Sequence, residues 1–278
     1  MEQPRVRCGL SVATLGDFGD PRLVMRFARR AEEAGWEALF VWDHLAYAWG
    51  VPAGDPWVIL SAVAATTTRL LLGPAVTPLP RRRLQTLAQT IVTLDQLSEG
   101  RVVFGVGLGG VPEEFERFGE SGDARERAAM LDEGLPLLDR LLRGESVDHT
   151  GAYYTLHGIS LQPRAMQEPR PPIWVGGESR AALRRAGRYD GWVFSADDEN
   201  AAMVKSPEQV AEMVAAIQKA RSATTPFAVA MTGVSAPGDG AFVARYAAAG
   251  VTWWLESIHG FRGSAGEMEE RIAAGPPR

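Results

Sequence analysis

The stretch from Arg69 to Gly110 constrains the fold more than any other part of the chain. An apolar run from Leu70 to Val76 precedes a segment in which apolar residues recur every three or four positions, and a second apolar run spans Val102 to Val106. Short runs that are apolar on consecutive positions are typical of strands buried on both faces. Two such strands joined by a helix form a βαβ unit with parallel strands.

The same alternation of strand and helix signals continues along the chain and predicts eight strands. After Gly110 it is interrupted by a helix over Arg125–Leu142 and by a segment over Gly151–Leu161 that mixes turn and β-prone residues. We interpret the latter as a small hairpin or extended insertion over the barrel top. The pattern predicts an α/β fold, a single (β/α)8 TIM-barrel domain over residues 1–278 with an insertion after the fourth strand. The predicted strands are Val6–Ala13, Ala38–Trp42, Leu70–Val76, Val102–Val106, Ile173–Val175, Gly191–Ser195, Phe227–Val234 and Val251–Ile258.

An open, doubly wound sheet is the alternative fold. It would need only five to seven strands and a dinucleotide-binding fingerprint after the first strand. The glycine-rich stretch at residues 105–110 follows the fourth strand instead. The barrel is therefore the favoured prediction.

Composition sets limits on the class of protein. The 278 residues are 46% hydrophobic and 23% charged, which is ordinary for a globular protein. The net charge of −5 argues against nucleic-acid binding, and no apolar stretch reaches the length of a membrane span. The only cysteine, Cys8, lies inside the first predicted strand, so we expect a buried thiol. We expect a cytoplasmic protein without nucleic-acid or membrane partners, whose tail at Pro276-Pro277 is frayed.

Asp43 and His44 follow the predicted second strand, at the end of a barrel where catalytic groups lie. A histidine can change its charge near neutral pH. One interpretation makes His44 a proton donor or acceptor at the barrel mouth, with Asp43 orienting it or capping a turn. The other makes it a loop histidine bonded to backbone. The remaining histidines (His149, His157 and His259) form no metal-binding motif, so no metal site is predicted.

Three further segments have both a structural and a functional interpretation. The turn at Gly176-Gly177-Glu178-Ser179 suits either a phosphate cradle or a tight βα turn with Ser179 as the helix cap. The glycines of residues 105–110 can admit a flat ring close to the backbone. Arg81 to Arg83 can contact an acidic cofactor tail or form a solvated helix start. Trp49 is the tryptophan best suited to a pocket wall.

Several motifs in a fixed order resemble the bacterial luciferase-like superfamily of flavin- and deazaflavin-dependent oxidoreductases. They cover most of residues 36–195, whereas the last third of the chain matches weakly. The motifs are FVWDHL at 40–45, LLLGPAVTPLPRRRLQTLAQ at 70–89, TLDQLSEGRVVFGVGLGG at 93–110, PEEFERFG at 112–119, RAAMLDEGLPLLDRLLRG at 127–144, YYTLHGISLQP at 153–163 and PPIWVGGESRAALRRAGRYDGW at 171–192.

The resemblance implies a (β/α)8 barrel that binds the flavin ring at its C-terminal mouth. It implies a non-prolyl cis peptide between Ala75 and Val76 behind the ring, and a histidine, His44, beside the reactive ring carbon. Non-prolyl cis bonds cost about 3 kcal/mol, so such a bond would point to function. The cofactor-binding residues implied are Asp43, Ala75, Val76, Gly107, Leu108, Gly109, Gly176, Gly177, Glu178 and Ser179.

The resemblance implies coenzyme F420, a deazaflavin, as the cofactor, with hydride transfer to or from a small organic substrate. The alternative is an FMN-dependent monooxygenase that receives reduced flavin from a reductase partner. A flavin-binding protein without catalysis is a third hypothesis. Sugar-phosphate dehydrogenases of the family have an acidic residue where this chain has Gly110, and their phosphate-binding lysines have no clear match, which argues against that substrate. The family often dimerises, so we expect a homodimer.

Overall fold

The computed structural model describes residues 5–45, 50–198 and 200–278. Within them, nine parallel strands form one sheet. The strands are β1 (Arg7–Val12), β2 (Ala38–Val41), β3 (Leu71–Pro74), β4 (Thr77–Pro78), β5 (Phe104–Gly107), β8 (Ile173–Gly176), β9 (Gly191–Ser195), β10 (Ala228–Gly233) and β11 (Trp253–Ile258), whereas β6 and β7 form a separate hairpin described below. The order of the strands in the sheet is β3-β2-β1-β11-β10-β9-β8-β5-β4. An isolated parallel bridge between Leu72 in β3 and Val102, just before β5, closes the sheet into a barrel.

The third barrel strand is interrupted, which accounts for nine strands where eight were predicted. Its first half, β3, pairs with β2, and its second half, β4, pairs with β5. Ala75 and Val76 lie between the halves. The predicted (β/α)8 barrel is therefore confirmed, with the break located at the two residues expected to lie behind a bound ring.

Two glycines allow the strands on either side of this break to approach. A Cβ on Gly73 would collide with the carbonyl oxygen of Val103, and a Cβ on Gly105 would collide with that of Pro74. Because both obstacles are backbone atoms, no side-chain movement would make room. Glycine is thus required where the interrupted third strand packs on the fourth.

The helices alternate with the strands as predicted. Asp20 caps the first helix by accepting from the amide of Arg22, and Gly35 ends it with a φ of 86°. The helices are α1 (Pro21–Ala34), α2 (Pro56–Thr66), α3 (Leu84–Leu97), α4 (Glu113–Glu116), α5 (Ala124–Leu142), α6 (Arg180–Ala186), α7 (Pro207–Ala220), α8 (Gly240–Ala248) and α9 (Ala265–Ala273), with short 3-10 turns at Gly16–Gly19 and Leu79–Arg81.

The insertion after the fourth strand is an antiparallel hairpin of β6 (Val147–Thr150) and β7 (Thr155–Ile159). The carboxylate of Glu133, in the middle of α5, accepts from the backbone amides of Ala152, Tyr153 and Tyr154 in the hairpin turn. The hairpin is therefore held against the flank of α5. The expected hairpin is confirmed, and its expected position over the barrel top stays a prediction.

The C-terminal segment is packed, so the prediction of a frayed tail is wrong. Pro276 and Pro277 are buried. Arg271 donates to the carbonyl oxygen of Gly275 at 2.8 Å, and Arg278 donates to that of Gly35 at 3.3 Å. The first bond joins the tail to α9, and the second attaches it to the end of α1, far away in sequence, which no local pattern of residues reveals.

Cys8 is buried in β1, as expected. Burial, helped by the nearby charge of Glu37, raises the pKa of its thiol to about 11, so the thiol is protonated at neutral pH. None of the described helices combines the length and the hydropathy that crossing a bilayer requires.

Candidate active site at the barrel mouth

The predicted site residues follow the carboxyl ends of neighbouring parallel strands, which meet at one edge of the barrel. Asp43 and His44 follow β2, Ala75 and Val76 separate β3 from β4, and Gly107 ends β5. Further along the same edge, β8 ends at Gly176 and leads into the Gly-Gly turn. The fold therefore places the predicted site residues along one mouth.

The peptide bond between Ala75 and Val76 is cis, as the resemblance implies. The side chain of Val76 lies between two glycines of the mouth. A Cβ built on Gly107 would come within 2.7 Å of Val76 Cγ2, and one built on Gly176 within 2.9 Å of Val76 Cγ1. These glycines thus provide the space that Val76 occupies. By contrast, a Cβ on Gly110 would meet no atom within 4 Å, so the mouth is open there.

Asp43 is almost fully buried, with 1% of its surface exposed. Its carboxylate accepts from Thr77 Oγ1 at 2.7 Å, from Arg81 Nη2 at 2.6 Å and from Arg82 Nη2 at 2.8 Å. These bonds tie the end of β2 to β4 and to the turn that follows it. Since the protein itself supplies these donors, the evident role of Asp43 is to hold the mouth together, and its contact with a cofactor remains a prediction.

His44 lies beside the carboxylate of Glu114, which sequence reasoning missed. His44 Nδ1 is 3.2 Å from Glu114 Oε2, and the amide of Leu45 donates to Glu114 Oε1 at 2.7 Å. Glu114 is 1% exposed, whereas the His44 side chain is 23% exposed. The geometry favours the tautomer in which Nδ1–H donates to Glu114, so that Nε2 is the basic nitrogen of the ring.

Arg81 was predicted to lie on a solvated helix start, and this interpretation is wrong for it. Its side chain is only 7% exposed and bridges two buried carboxylates, with Nη1 2.8 Å from Glu114 and Nη2 2.6 Å from Asp43. Arg83, two residues later, is exposed as that interpretation requires. Buried carboxylates need such partners, because removing a charge from water without a partner is costly.

The Gly-Gly turn has the geometry of a tight connection into α6. Gly177 has a φ of 105°, a conformation that favours glycine, and its carbonyl accepts from Trp192 Nε1 at 2.8 Å. Ser179 Oγ accepts from the amide of Ala182, which confirms it as the helix cap. Glu178 pairs with Lys205 at 2.7 Å, a contact that brings a lysine beside the turn. Residues 177–179 are exposed, so the turn is accessible to a ligand.

The other histidines are not grouped with His44. His149 pairs with Glu133 on the flank of α5, at 3.1 Å. His259, just after β11, is buried, and this burial lowers the pKa of its ring. Among the described residues, no three His, Cys, Asp or Glu side chains are grouped as metal ligands would be. Trp49, the expected pocket wall, lies outside the described residues.

A family model described as "Luciferase-like monooxygenase" matches residues 3–275. The chain belongs to this family. The resemblance inferred from the sequence motifs is thereby confirmed.

Curated relatives match the chain at about one-third identity. An F420-dependent glucose-6-phosphate dehydrogenase of Nakamurella multipartita is 36% identical over 200 residues, covering 69% of this chain and 57% of that protein. An F420-dependent hydroxymycolic acid dehydrogenase of Mycobacterium tuberculosis is 35% identical over 188 residues, covering 66% and 51%. The match spans only about half of the length of these relatives.

Solved structures share the fold over nearly the whole chain. An F420-dependent secondary alcohol dehydrogenase in complex with an F420–acetone adduct has a TM-score of 0.80 at 17% identity, covering 96% of both chains. An F420-dependent tetrahydromethanopterin reductase of Methanopyrus kandleri has a TM-score of 0.76 at 18% identity, covering 97% of both. At these identities the likeness establishes the fold alone.

Proposed function

We propose that this family member is an oxidoreductase that binds coenzyme F420 at the barrel mouth and transfers hydride to or from a small organic substrate. The observation that carries the proposal is the match, at 35–36% identity, to curated F420-dependent dehydrogenases. The match is partial, so the substrates of those enzymes are not transferred to this chain. When bound, a deazaflavin supplies a two-electron hydride carrier.

The residues of the mouth fit such a ring. The side chain of Val76 forms a ledge that contacts Gly107 and Gly176, and the chain is open at Gly110, where a Cβ would meet no atom within 4 Å. The exposed turn at residues 176–179 would hold the phosphate with its backbone amides. Lys205, which is paired with Glu178, adds a cation beside that turn. Leu108 and Gly109, which follow β5, would contact the ring from the adjacent loop.

His44 would exchange the proton that accompanies hydride transfer. Its Nδ1 is oriented by Glu114, and in the Nδ1–H tautomer the basic nitrogen that would exchange a proton with a substrate hydroxyl or carbonyl oxygen is Nε2. Arg81 donates to Glu114 and keeps that carboxylate in place. In this proposal His44 is the catalytic residue, and Glu114 and Arg81 are positioning residues.

Gly110 bears on the choice of substrate. A glycine stands where the sugar-phosphate dehydrogenases of the family have an acidic residue, and Glu114 cannot replace it because that carboxylate is buried and already bonded to the protein. We therefore propose alcohols, imines and activated alkenes, rather than sugar phosphates, as the substrate class. We also propose a homodimer located in the cytoplasm, with a deazaflavin or flavin reductase as a partner.

The first test is a fluorescence titration of the purified protein with oxidised F420 and with FMN. We expect tight binding of F420 and much weaker binding of FMN. Tight binding of FMN alone would favour the monooxygenase alternative, and binding of neither would refute the cofactor assignment.

A variant series then separates catalysis from binding. His44→Ala should bind F420 as the wild type does and lose turnover in a screen of alcohols and carbonyl compounds. His157→Ala changes an exposed hairpin histidine and serves as the matched control. Full turnover by His44→Ala would remove His44 from the mechanism, and the absence of turnover in the wild type would favour a binding protein without catalysis.

A further inference from the structure

A basic groove lies outside the proposed ring site, between the start of α3, the first half of α5 and the turn of the β6–β7 hairpin. Its cavity has a volume of about 490 Å³. Four arginines and two glutamates line it, together with Tyr154. The charged residues are Arg81, Arg82, Arg83, Arg127, Glu120 and Glu126.

Three buried hydrogen-bond donors of the groove have no acceptor among the described residues. They are Arg82 Nε, Arg127 Nε and the hydroxyl of Tyr154. Each comes from a different element: the turn before α3, α5 itself and the hairpin. A buried donor without a partner typically costs about 1–3 kcal/mol, so a bound group that supplies acceptors to these three residues would relieve that cost.

The donors are held in place by bonds made through other atoms. Arg82 Nη2 is bound to Asp43, at 2.8 Å. Arg127 is 2% exposed, lies over the ring of Phe115 at 4.5 Å and donates from Nη1 to the carbonyl of Ser121. Both guanidinium groups are therefore positioned before a ligand arrives, which lowers the entropy cost of binding it.

Tyr154 remains a donor at neutral pH. Burial, with a smaller contribution from Glu133, raises the pKa of its hydroxyl to about 12. Glu120 and Glu126 are exposed, so water and salt weaken their repulsion of an anion more than they weaken the attraction of the buried arginine.

We propose that the basic groove binds an oxyanion, a carboxylate or phosphate group of a small molecule, through Arg82, Arg127 and Tyr154. Such a group offers several acceptor lone pairs to donors that otherwise have none, and its charge matches two guanidinium groups. Arg81 and Arg82 also line the pocket of His44, so the groove adjoins the proposed active site without being part of the ring site. The proposal does not depend on the identity of the cofactor.

Isothermal titration of the cofactor-free protein with inorganic phosphate and with citrate tests the proposal. We expect saturable binding of at least one of them. Tyr154→Phe keeps the ring and removes only the hydroxyl, and it should weaken binding about tenfold or more, as expected for a bond to a charged group. Arg125→Ala, an exposed residue of the same helix that does not line the groove, should bind as the wild type does.

Repeating the titration with protein saturated in F420 identifies the source of the anion. Because the Gly-Gly turn is itself proposed to hold a phosphate, only the part of the binding that Tyr154→Phe weakens is counted as binding in the groove. Loss of that part in the F420-saturated protein would show that the acidic end of the bound cofactor occupies the groove, and its persistence would point to a separate anionic metabolite. Absence of saturable binding in the cofactor-free wild type would overturn the proposal. So would equal affinities of the wild type, Tyr154→Phe and a folded Arg82→Gln variant.

Discussion

The packing of Val76 against Gly107 predicts the effect of adding a single methyl group at the mouth. In Gly107→Ala the new Cβ would lie 2.7 Å from Val76 Cγ2, and among the described residues other than its chain neighbours the only further atom within 4 Å is Val76 Cβ at 3.7 Å. Carbon atoms in contact prefer about 3.5–4.0 Å. Since valine is stiff about χ1, relief requires a strained rotamer or a backbone shift. Overpacking of this kind costs about 1–3 kcal/mol of unfolding free energy.

The same geometry predicts a rescue. Val76→Ala removes the clashing methyl group, so the double variant Gly107→Ala/Val76→Ala should recover most of the stability lost in Gly107→Ala. We expect a coupling energy of about 1–2 kcal/mol between the two sites, in the range measured for residues in contact. Gly105→Ala is the matched control. Its Cβ would meet backbone atoms of Pro74, so it should be more destabilising and Val76→Ala should not rescue it.

Urea unfolding followed by circular dichroism measures these differences. Each kcal/mol should also shift the midpoint of thermal unfolding by about 2–4 °C in a chain of this size class. Additivity of Gly107→Ala and Val76→Ala within about 0.5 kcal/mol would refute the packing argument. The F420 titration of Val76→Ala then tests whether the side chain of Val76 also supports the ring. If it does, the dissociation constant for F420 rises while the fold remains intact.

Three further predictions concern other parts of the chain. Glu114→Gln replaces a charge-assisted bond to His44 by a neutral one, so turnover of the substrate found in the screen should fall about 10- to 150-fold while the F420 dissociation constant is unchanged. Burial opposes ionisation of Glu32, but hydrogen bonds from the backbone amides of residues 68–70 outweigh burial and lower its pKa. Glu32→Gln should therefore be less stable than the wild type at neutral pH, and the difference in unfolding free energy should disappear as the pH falls below about 4.5. Urea unfolding across this pH range measures the difference. Deletion of residues 275–278 should lower the melting temperature, because the tail is packed, and an unchanged melt would contradict this.

The barrel could be predicted from sequence because its strands are buried on both faces. Runs such as Val102–Val106 and Trp192–Phe194 are continuous in apolar residues, and helices with a clear apolar period separate the strands. The break in the third strand could not be derived from this pattern, since Ala75 and Val76 are as apolar as their neighbours. Only the resemblance to a family pointed to it. The tail at Pro276-Pro277 was mispredicted because its partners lie at the end of α1.

The ion-pair cluster of the mouth was also not predicted from the sequence, although it holds the site together. It joins Asp43, Arg81, Arg82 and Glu114, which come from three separate parts of the sequence. Sequence periodicity describes one element at a time and cannot show which charges from different elements meet. A signal was nevertheless present, because three consecutive arginines follow the end of the third predicted strand and the acidic Asp43 follows the end of the second. Buried charges require partners, so this pairing was open to inference from the barrel topology.

Sequence reasoning fails most clearly in deciding which of Glu113 and Glu114 is buried beside His44. Both are acidic and adjacent, and α4 spans only Glu113–Glu116, too short for an apolar period to reveal which face is buried. In the structure Glu113 is exposed and Glu114 is 1% exposed beside His44. Glu113→Gln should therefore leave turnover and stability unchanged, whereas Glu114→Gln impairs turnover. Equal losses in the two variants, measured side by side, would mean that net charge near the mouth, and not orientation of the histidine, accounts for the effect.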